Sequence, residues 1–395
     1  MQSDQIEKSI SSLQLYIESE KYRGPDPYDA LKSPVFKWPV LRNHKVIRFG
    51  MQQLLKRIPI NLRPLLKVPN GYNPVTLGLC IQAYANEIVY NPSSRTENLK
   101  KINFLVDELE RMIPKGYQGS CWGYDFDWEA RYARIPAYQP TIVATGFITN
   151  ALFQAWKITG EERFLKHCVS STEFILEDIN RTYDGDRNFS FSYSPFDKEI
   201  VFNASMKGAR TLAQVYSVTQ NDNLKELASK AVAFVMKYQQ ESGAWIYSMS
   251  KAGTWVDNYH TGYILDCLDE YIRYTGDETY SSHRAKGYNF YKKNFFEQNK
   301  IPKFYNTKTY PVDCTSAAQS LLTLVRFGDV DLAKNVGNWM IENMQAQNGS
   351  FYFRKFSSYT IRTSYMRWSN AWMFAGLTTL QSALSAGKEG ALGNQ

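Results

Sequence analysis

Between Gly119 and Gly146 the chain reads GSCWGYDFDWEARYARIPAYQPTIVATG, its densest mixture of rings and charges. Asp125 and Asp127 are separated by one residue. In an extended loop both would point to one side, with Phe126 turned the other way. Two carboxylates that close leave one of them partly protonated, which suits an acid and a base acting in turn. A second stretch has the order Trp255, Val256, Asp257, Asn258, Tyr259, His260, Thr261, Gly262. His260 is one of four histidines, and it alone sits among Asp, Asn and Tyr. A histidine beside a carboxylate can carry protons near neutral pH. Asp125, Asp127, Asp257 and His260 are therefore the candidate catalytic groups. The competing use of the first stretch is a packed aromatic hairpin in which an Asp merely pairs with Arg131 or Arg134.

Around these groups stand residues that could hold a substrate: Trp122, Tyr124, Arg131 and Tyr138 in the first stretch, Asn203 further on, Trp255 and Tyr259 beside His260, then Asp313, Arg367 and Trp368. Aromatic side chains stack on sugar rings, and arginines pair with carboxylates. Two reactions fit. Hydrolysis of a glycosidic bond wants two flanking carboxylates, one protonated, and Asp125 or Asp127 with Asp257 or Asp313 could supply them. Elimination or epimerisation at a uronic acid wants a base for the proton beside the carboxylate and a cation or amide for the enolate-like charge. His260, Tyr259 or Tyr138 could serve as base or acid, and Arg131, Arg367 or Asn203 as stabiliser.

The elements that must position these residues recur along the chain. Aromatic segments at 120–126, 188–194, 243–249, 303–307 and 349–355 each precede a helix rich in small and apolar residues. Such helices are expected to begin near Val75, Thr141, Asn203, Tyr259, Thr315 and Ser369. More polar, amphipathic helices are expected at about 95–113, 161–179, 223–240, 278–297 and 330–347. Six small-residue helices thus face five polar partners. The amphipathic stretch 4–21, with Ile6, Ile10, Leu13, Tyr16 and Ile17 on one side, supplies the sixth. The expected fold is all-α, six hairpins closed into a ring, with short β-like segments in the loops. All inner helices then begin at one face, so the loops before them converge on one mouth.

This pattern resembles the (α/α)6 toroids: glycoside hydrolases, polysaccharide lyases, sugar epimerases and the helical domain of glucuronyl epimerases. The 122–128 loop together with the 257–263 segment also resembles uncharacterised proteins encoded with bacterial surface-polysaccharide genes. The resemblance covers about residues 70–386 and implies fold more strongly than chemistry. A second resemblance is to terpenoid cyclases. Gln239, Gly243 and Trp245 spell their QxxxGxW turn motif, and Gln345, Gly349 and Phe351 a weaker copy. The acid motif of that class is incomplete here, since Asp125, Phe126 and Asp127 are followed by Trp128. Asp313, Cys314 and His260 only faintly match the zinc set of protein prenyltransferases, so neither metal nor cofactor is expected. A third alternative is a glycan-binding module without catalysis.

The net charge of +8 and the aromatic share of 15% suggest an anionic oligo- or polysaccharide, with no nucleic-acid motif in view. Five scattered cysteines, without a CxxC pair, suit a reduced, cytoplasmic setting. The N-terminus lacks the basic start and apolar run of a signal peptide. From Ala30 to Asn86 there is no acidic residue, while nine lysines and arginines interleave with Leu and Ile. This segment reads either as a basic collar on the main body or, over 42–67, as a weak contact with anionic membrane. The expected organisation is an N-terminal helix and Pro-containing arm (1–70), the toroid (71–388) and a flexible tail (389–395).

Overall fold

The computed structural model describes residues 2–129 and 134–392. The helices are α1 (Gln2–Ser19), the arm helices α2 (Pro39–Asn43) and α3 (Lys45–Arg57), then α4 (Pro74–Tyr90), α5 (Arg95–Arg111), α6 (Ile142–Thr159), α7 (Glu162–Glu173), α8 (Phe202–Thr219), α9 (Asp222–Met236), α10 (Asn258–Thr275), α11 (Ser281–Asn294), α12 (Cys314–Arg326), α13 (Val330–Met344) and α14 (Trp372–Leu392). Short antiparallel strands decorate the loops. The first hairpin is β1 (Trp128–Glu129) on β2 (Arg134–Ile135), with Trp128 opposite Ile135.

The even-numbered helices from α4 to α14 pack each on the next, and α14 returns to α4, so the inner ring closes. Their starts fall within a few residues of the expected positions. The last begins later, at Trp372, because a wide turn over Met366–Ala371 precedes it. Polar caps fix several of these starts: the side chains of Asn73, Thr141, Asp257 and Asp313 each accept a backbone N–H of the first turn. Small residues let the inner helices approach. A Cβ on Gly376 would lie 2.9 Å from the Ala318 carbonyl oxygen.

Helix α1 completes the outer layer against α14 and α13. Ile6, Ile10, Leu13 and Ile17 are buried, as their spacing requires. The QxxxGxW turn explains how the seat is made. Gln239 donates to the carbonyls of Gly243 and His283, the latter on α11. Gln345 repeats this, donating to Gly349 and to Ser9 of α1. Gly243 and Gly349 have φ of 95° and 88°. A Cβ on either would strike a carbonyl of the next outer helix, Lys286 at 2.5 Å or Ser12 at 2.3 Å. So α1 stands to α13 as α11 stands to α9.

No helix among the described residues is long and apolar enough to cross a membrane. Arg131 lies outside the described residues, as does the end of the tail.

Truncating Leu13, a wholly buried side chain of α1, is expected to cost about 2–5 kcal/mol in urea unfolding. Loss of less than about 1 kcal/mol would show that α1 is not part of the core. Glu87 gives a pH-dependent prediction. Burial in the last turn of α4, beside helix carbonyls, raises its carboxyl to about 7 despite hydrogen bonds from Asn98 and Tyr90. Its contribution is complete below the unfolded value near 4.5 and is lost as pH rises through 7. Glu87→Gln should therefore be the more stable form at pH 8, by about 1–3 kcal/mol, and the difference should vanish near pH 4.

Candidate functional site

The loops before α6, α8, α10 and α14 meet around a cavity of about 420 Å³ at the N-terminal face of the ring. Its walls are aromatic. Tyr124 and Phe126 stack at 5.5 Å, Tyr28 lies against Phe126 and Trp368, and Trp128 leans on Tyr193. Burial holds the phenols of Tyr193, Tyr259 and Tyr263 well above the ordinary range, so they stay protonated donors. The floor is a triangle of rings from alternate inner helices: Phe147 and Tyr263 at 5.1 Å, Phe147 and Trp372 at 5.1 Å, Tyr263 and Trp372 at 5.7 Å.

His260 stands in the first turn of α10 and lines this cavity. The helix cap builds its position. Asp257 Oδ1 accepts the His260 backbone N–H at 3.0 Å, and Oδ2 lies 2.7 Å from His260 Nδ1. Oδ2 also accepts Trp255 Nε1 at 2.8 Å. A carboxylate oxygen accepts, so Nδ1 carries a proton, and in the neutral imidazole Nε2 is then the acceptor. Tyr247 and Tyr259 bracket the imidazole at 4.5 and 4.2 Å. Asp257 is thus behind the histidine, not beside the substrate space.

Arg367 also faces the cavity. Asp26 holds it through two bonds of 2.6 and 2.9 Å, and it lies over the rings of Tyr124 and Trp368. That carboxylate raises the guanidinium above its usual range against the pull of desolvation. Of the other residues offered as substrate contacts, Tyr124, Asn203, Trp255, Tyr259 and Trp368 line the cavity.

Asp125 and Asp127 do not come together there. The chain bends at 125–126 instead of staying extended. Asp125 is buried against Lys32 (2.7 Å) and Asn73 (2.9 Å). Burial raises its pKa, and the lysine opposes that rise. Asp127 accepts the Ala137 N–H and faces Arg134 at 3.3 Å, the pairing weighed as the merely structural role. Asp313 caps α12 and pairs with Arg354 at 2.6 Å. Trp122 is wholly buried, its indole donating to the Leu109 carbonyl. Tyr138 sits at the rim of the loop with φ of 62°, outside the cavity lining. Among the described residues no group of three or more His, Cys, Asp or Glu is placed to share a metal ion.

Two parts of the site were not read from the sequence. The first is the arm. Phe49, Gln53 and Arg57 on one face of α3 form a wall of the cavity. The adjoining side of α3 is tied down: Arg48 pairs with Glu129 at 2.7 Å, and Gln52 bonds the backbone at Tyr28, Asp127 and Glu129. Several charges taken as a collar are therefore internal struts. The second is the acidic edge before α8, where Asp197 and Glu199 line the cavity. Asp197 accepts the N–H groups of Tyr193 and Glu199. Burial and the neighbouring Asp197 raise the Glu199 carboxyl. Its place one loop before Asp257 was the available signal.

No protein-family model matches the chain, and no curated protein sequence does. Solved structures match its fold. A cellobiose 2-epimerase from Bacillus thermoamylovorans is 11% identical, with a TM-score of 0.61 over 78% of this chain and 87% of the epimerase. A family 76 glycoside hydrolase, an alpha-mannanase from Bacteroides thetaiotaomicron, is 13% identical, with a TM-score of 0.59 over 81% and 88%. A Listeria innocua protein is 12% identical with a TM-score of 0.59 over 98% of both chains, arm included. At such identities the likeness establishes the architecture, and that architecture is the (α/α)6 toroid.

Proposed function

We propose that this chain is a carbohydrate-active enzyme in which His260 moves a proton at a sugar carbon. The observation that carries the reading is His260 itself, fixed by Asp257 through Nδ1 and lining an aromatic-walled cavity. A sugar ring would stack on Tyr124, Trp128 or Trp255. His260 Nε2 would take the proton from the carbon beside a carboxylate or carbonyl, and Arg367 with the helix N-termini would stabilise the enolate-like oxygen. Return of a proton to the opposite face gives epimerisation, and departure of a β-oxygen gives elimination. The four carboxylates expected to act directly are all engaged elsewhere, which weighs against a two-carboxylate hydrolase built from them.

Hydrolysis keeps one supporting observation, the raised carboxyl of Glu199 next to Asp197. The polar groups in the lining argue against a terpenoid cyclase. Arg57, Arg367 and the basic arm favour an anionic, uronic-acid-containing glycan or its lipid-linked precursor. A cytoplasmic setting belongs to the same reading.

His260→Asn should fold normally, bind oligosaccharide within a few-fold and lose turnover by about 10²–10⁴-fold. Reaction of uronic-acid oligosaccharides in D₂O separates the classes. Deuterium at the carbon beside the carboxylate, or an unsaturated product, supports the proposal. Incorporation of ¹⁸O from water at an anomeric carbon, with no exchange at carbon, would make the enzyme a hydrolase. Binding without any product would leave a glycan-binding module.

The arm supports a further part of this reading, weak contact with anionic membrane through 42–67. Val46 and Leu54 of α3 are exposed and turned away from the buried Arg48, Gln52 and Leu55. Trp38, Val40, Val46, Ile60 and Leu65 are between 66% and 79% exposed. Exposed Arg42, Lys45 and Lys67 accompany them. Exposed apolar and basic groups on one short segment suit a bilayer interface, at about 1 kcal/mol per cation. The protein should co-sediment with phosphatidylglycerol vesicles at low salt and be released at high salt. Equal recovery with phosphatidylcholine vesicles, or none at low salt, removes the idea.

A further inference from the structure

Beneath the aromatic floor lies a second cavity of about 240 Å³. Phe147, Tyr263 and Trp372 line both cavities and separate them. The lower one runs from the second turns of the inner helices into their C-terminal halves and reaches solvent past the partly exposed Gln82, Asn86, Gln154 and Thr379. It opens on the face opposite the mouth.

Lys207 of α8 reaches into it. The side chain is wholly buried, and its Nζ has no hydrogen-bond partner. The ammonium sits between two rings, 3.8 Å from the centre of Phe147 and 3.7 Å from that of Tyr263. Cation–π contact offsets part of the desolvation but does not replace a counter-ion. Desolvation lowers this ammonium to about 7. Lys207 also lies in the second turn of its helix, where the dipole is unfavourable to a cation.

The surrounding charges do not balance it. Arg326 lies within 2.5–3.6 Å of Glu270, Asp269 and Asp266. Arg210 stands 3.9 Å from Glu270, and Arg273 and Arg284 share Asp269 at 3.1 and 2.8 Å. With Lys207 that makes five cations to three carboxylates. The Nε atoms of Arg210 and Arg326 have no hydrogen-bond partner in the protein either, and both side chains line the cavity.

We infer that the lower cavity is a second binding site, for a small oxyanion such as a carboxylate or phosphate monoester. Its oxygens would be held by Lys207 Nζ and by the Nε–H groups of Arg210 and Arg326, which make no hydrogen bond and have their carboxylates only at 3.9 and 3.6 Å. Such a ligand would bind directly under the floor of the mouth cavity, through the same three rings. The site stands on its own and does not need the proton chemistry proposed for His260.

The probes are inorganic phosphate and acetate, titrated at constant ionic strength against chloride while thermal unfolding and tryptophan fluorescence are followed. Trp372 in the floor serves as the local reporter. The wild-type protein should show a saturable rise in Tm and a fluorescence change with at least one anion. Lys207→Met, which keeps the volume and removes the charge, should fold with an equal or higher Tm without added anion and lose both responses. Lys157→Met, an exposed lysine of α6 outside both cavities, should respond like the wild type. The inference is overturned if the wild type shows no saturable response to either anion, or if Lys207→Met responds equally. An equal response with chloride in place of either anion would also overturn it.

Discussion

Three aromatic rings meeting on the axis of the toroid hold the rest of the design in place. Phe147, Tyr263 and Trp372 come from α6, α10 and α14, so each ring braces two inner helices that are not neighbours in the circle. A ring of helices alone would leave a hole along its axis. Interiors pack at crystal-like density, and a hole lined by small residues would have to be filled by water or collapse. The triangle fills it at one level, and Lys207 adds a cation from α8 to the same layer. Above that layer the helix starts are dressed with His260, Asn203 and aromatic loops. Below it they end in an arginine–carboxylate network. The partition gives one fold two chemically different compartments.

Much of the fold was legible because its signals are local and repeated. Small-residue helices alternate with polar ones, and each hairpin is announced by an aromatic segment. The sixth outer helix could be found by counting, and the glutamine–glycine turn explains physically why α1 fits. Gly349 leaves room for the Ser12 carbonyl as Gly243 does for that of Lys286. The sequence also shows Gln345 and Gly349 at the same spacing as Gln239 and Gly243.

The site was legible only in part, and the misses share a cause. His260 with Asp257 could be read because the cap and the capped residue are three apart in the chain. Asp125 was misplaced because its partner, Lys32, lies ninety-three residues earlier. Alternation along an extended loop gave no warning of the bend that this ion pair accompanies. The arm was read as surface because its charges looked unpaired, whereas Arg48, Arg63 and Lys32 find Glu129, Asp29 and Asp125 only in three dimensions. Long-range pairing of single charges leaves no periodicity to detect.

Closing the circle with the first helix has a consequence for how the chain reaches its native state. During synthesis α1 emerges well before the helices it seats on, α13 and α14, which follow more than 300 residues later. Until then Ile6, Ile10, Leu13 and Ile17 form an amphipathic stripe without its native partner. Contacts of such sequence separation form late and slow the search for the native arrangement. The hairpins between can assemble in order, each on its predecessor, while the ring stays open at one seam. Final closure is then a single docking event that joins α1 to α13 and α14. Anything that delays it leaves an incomplete circle with one apolar edge free to meet the same edge of another copy.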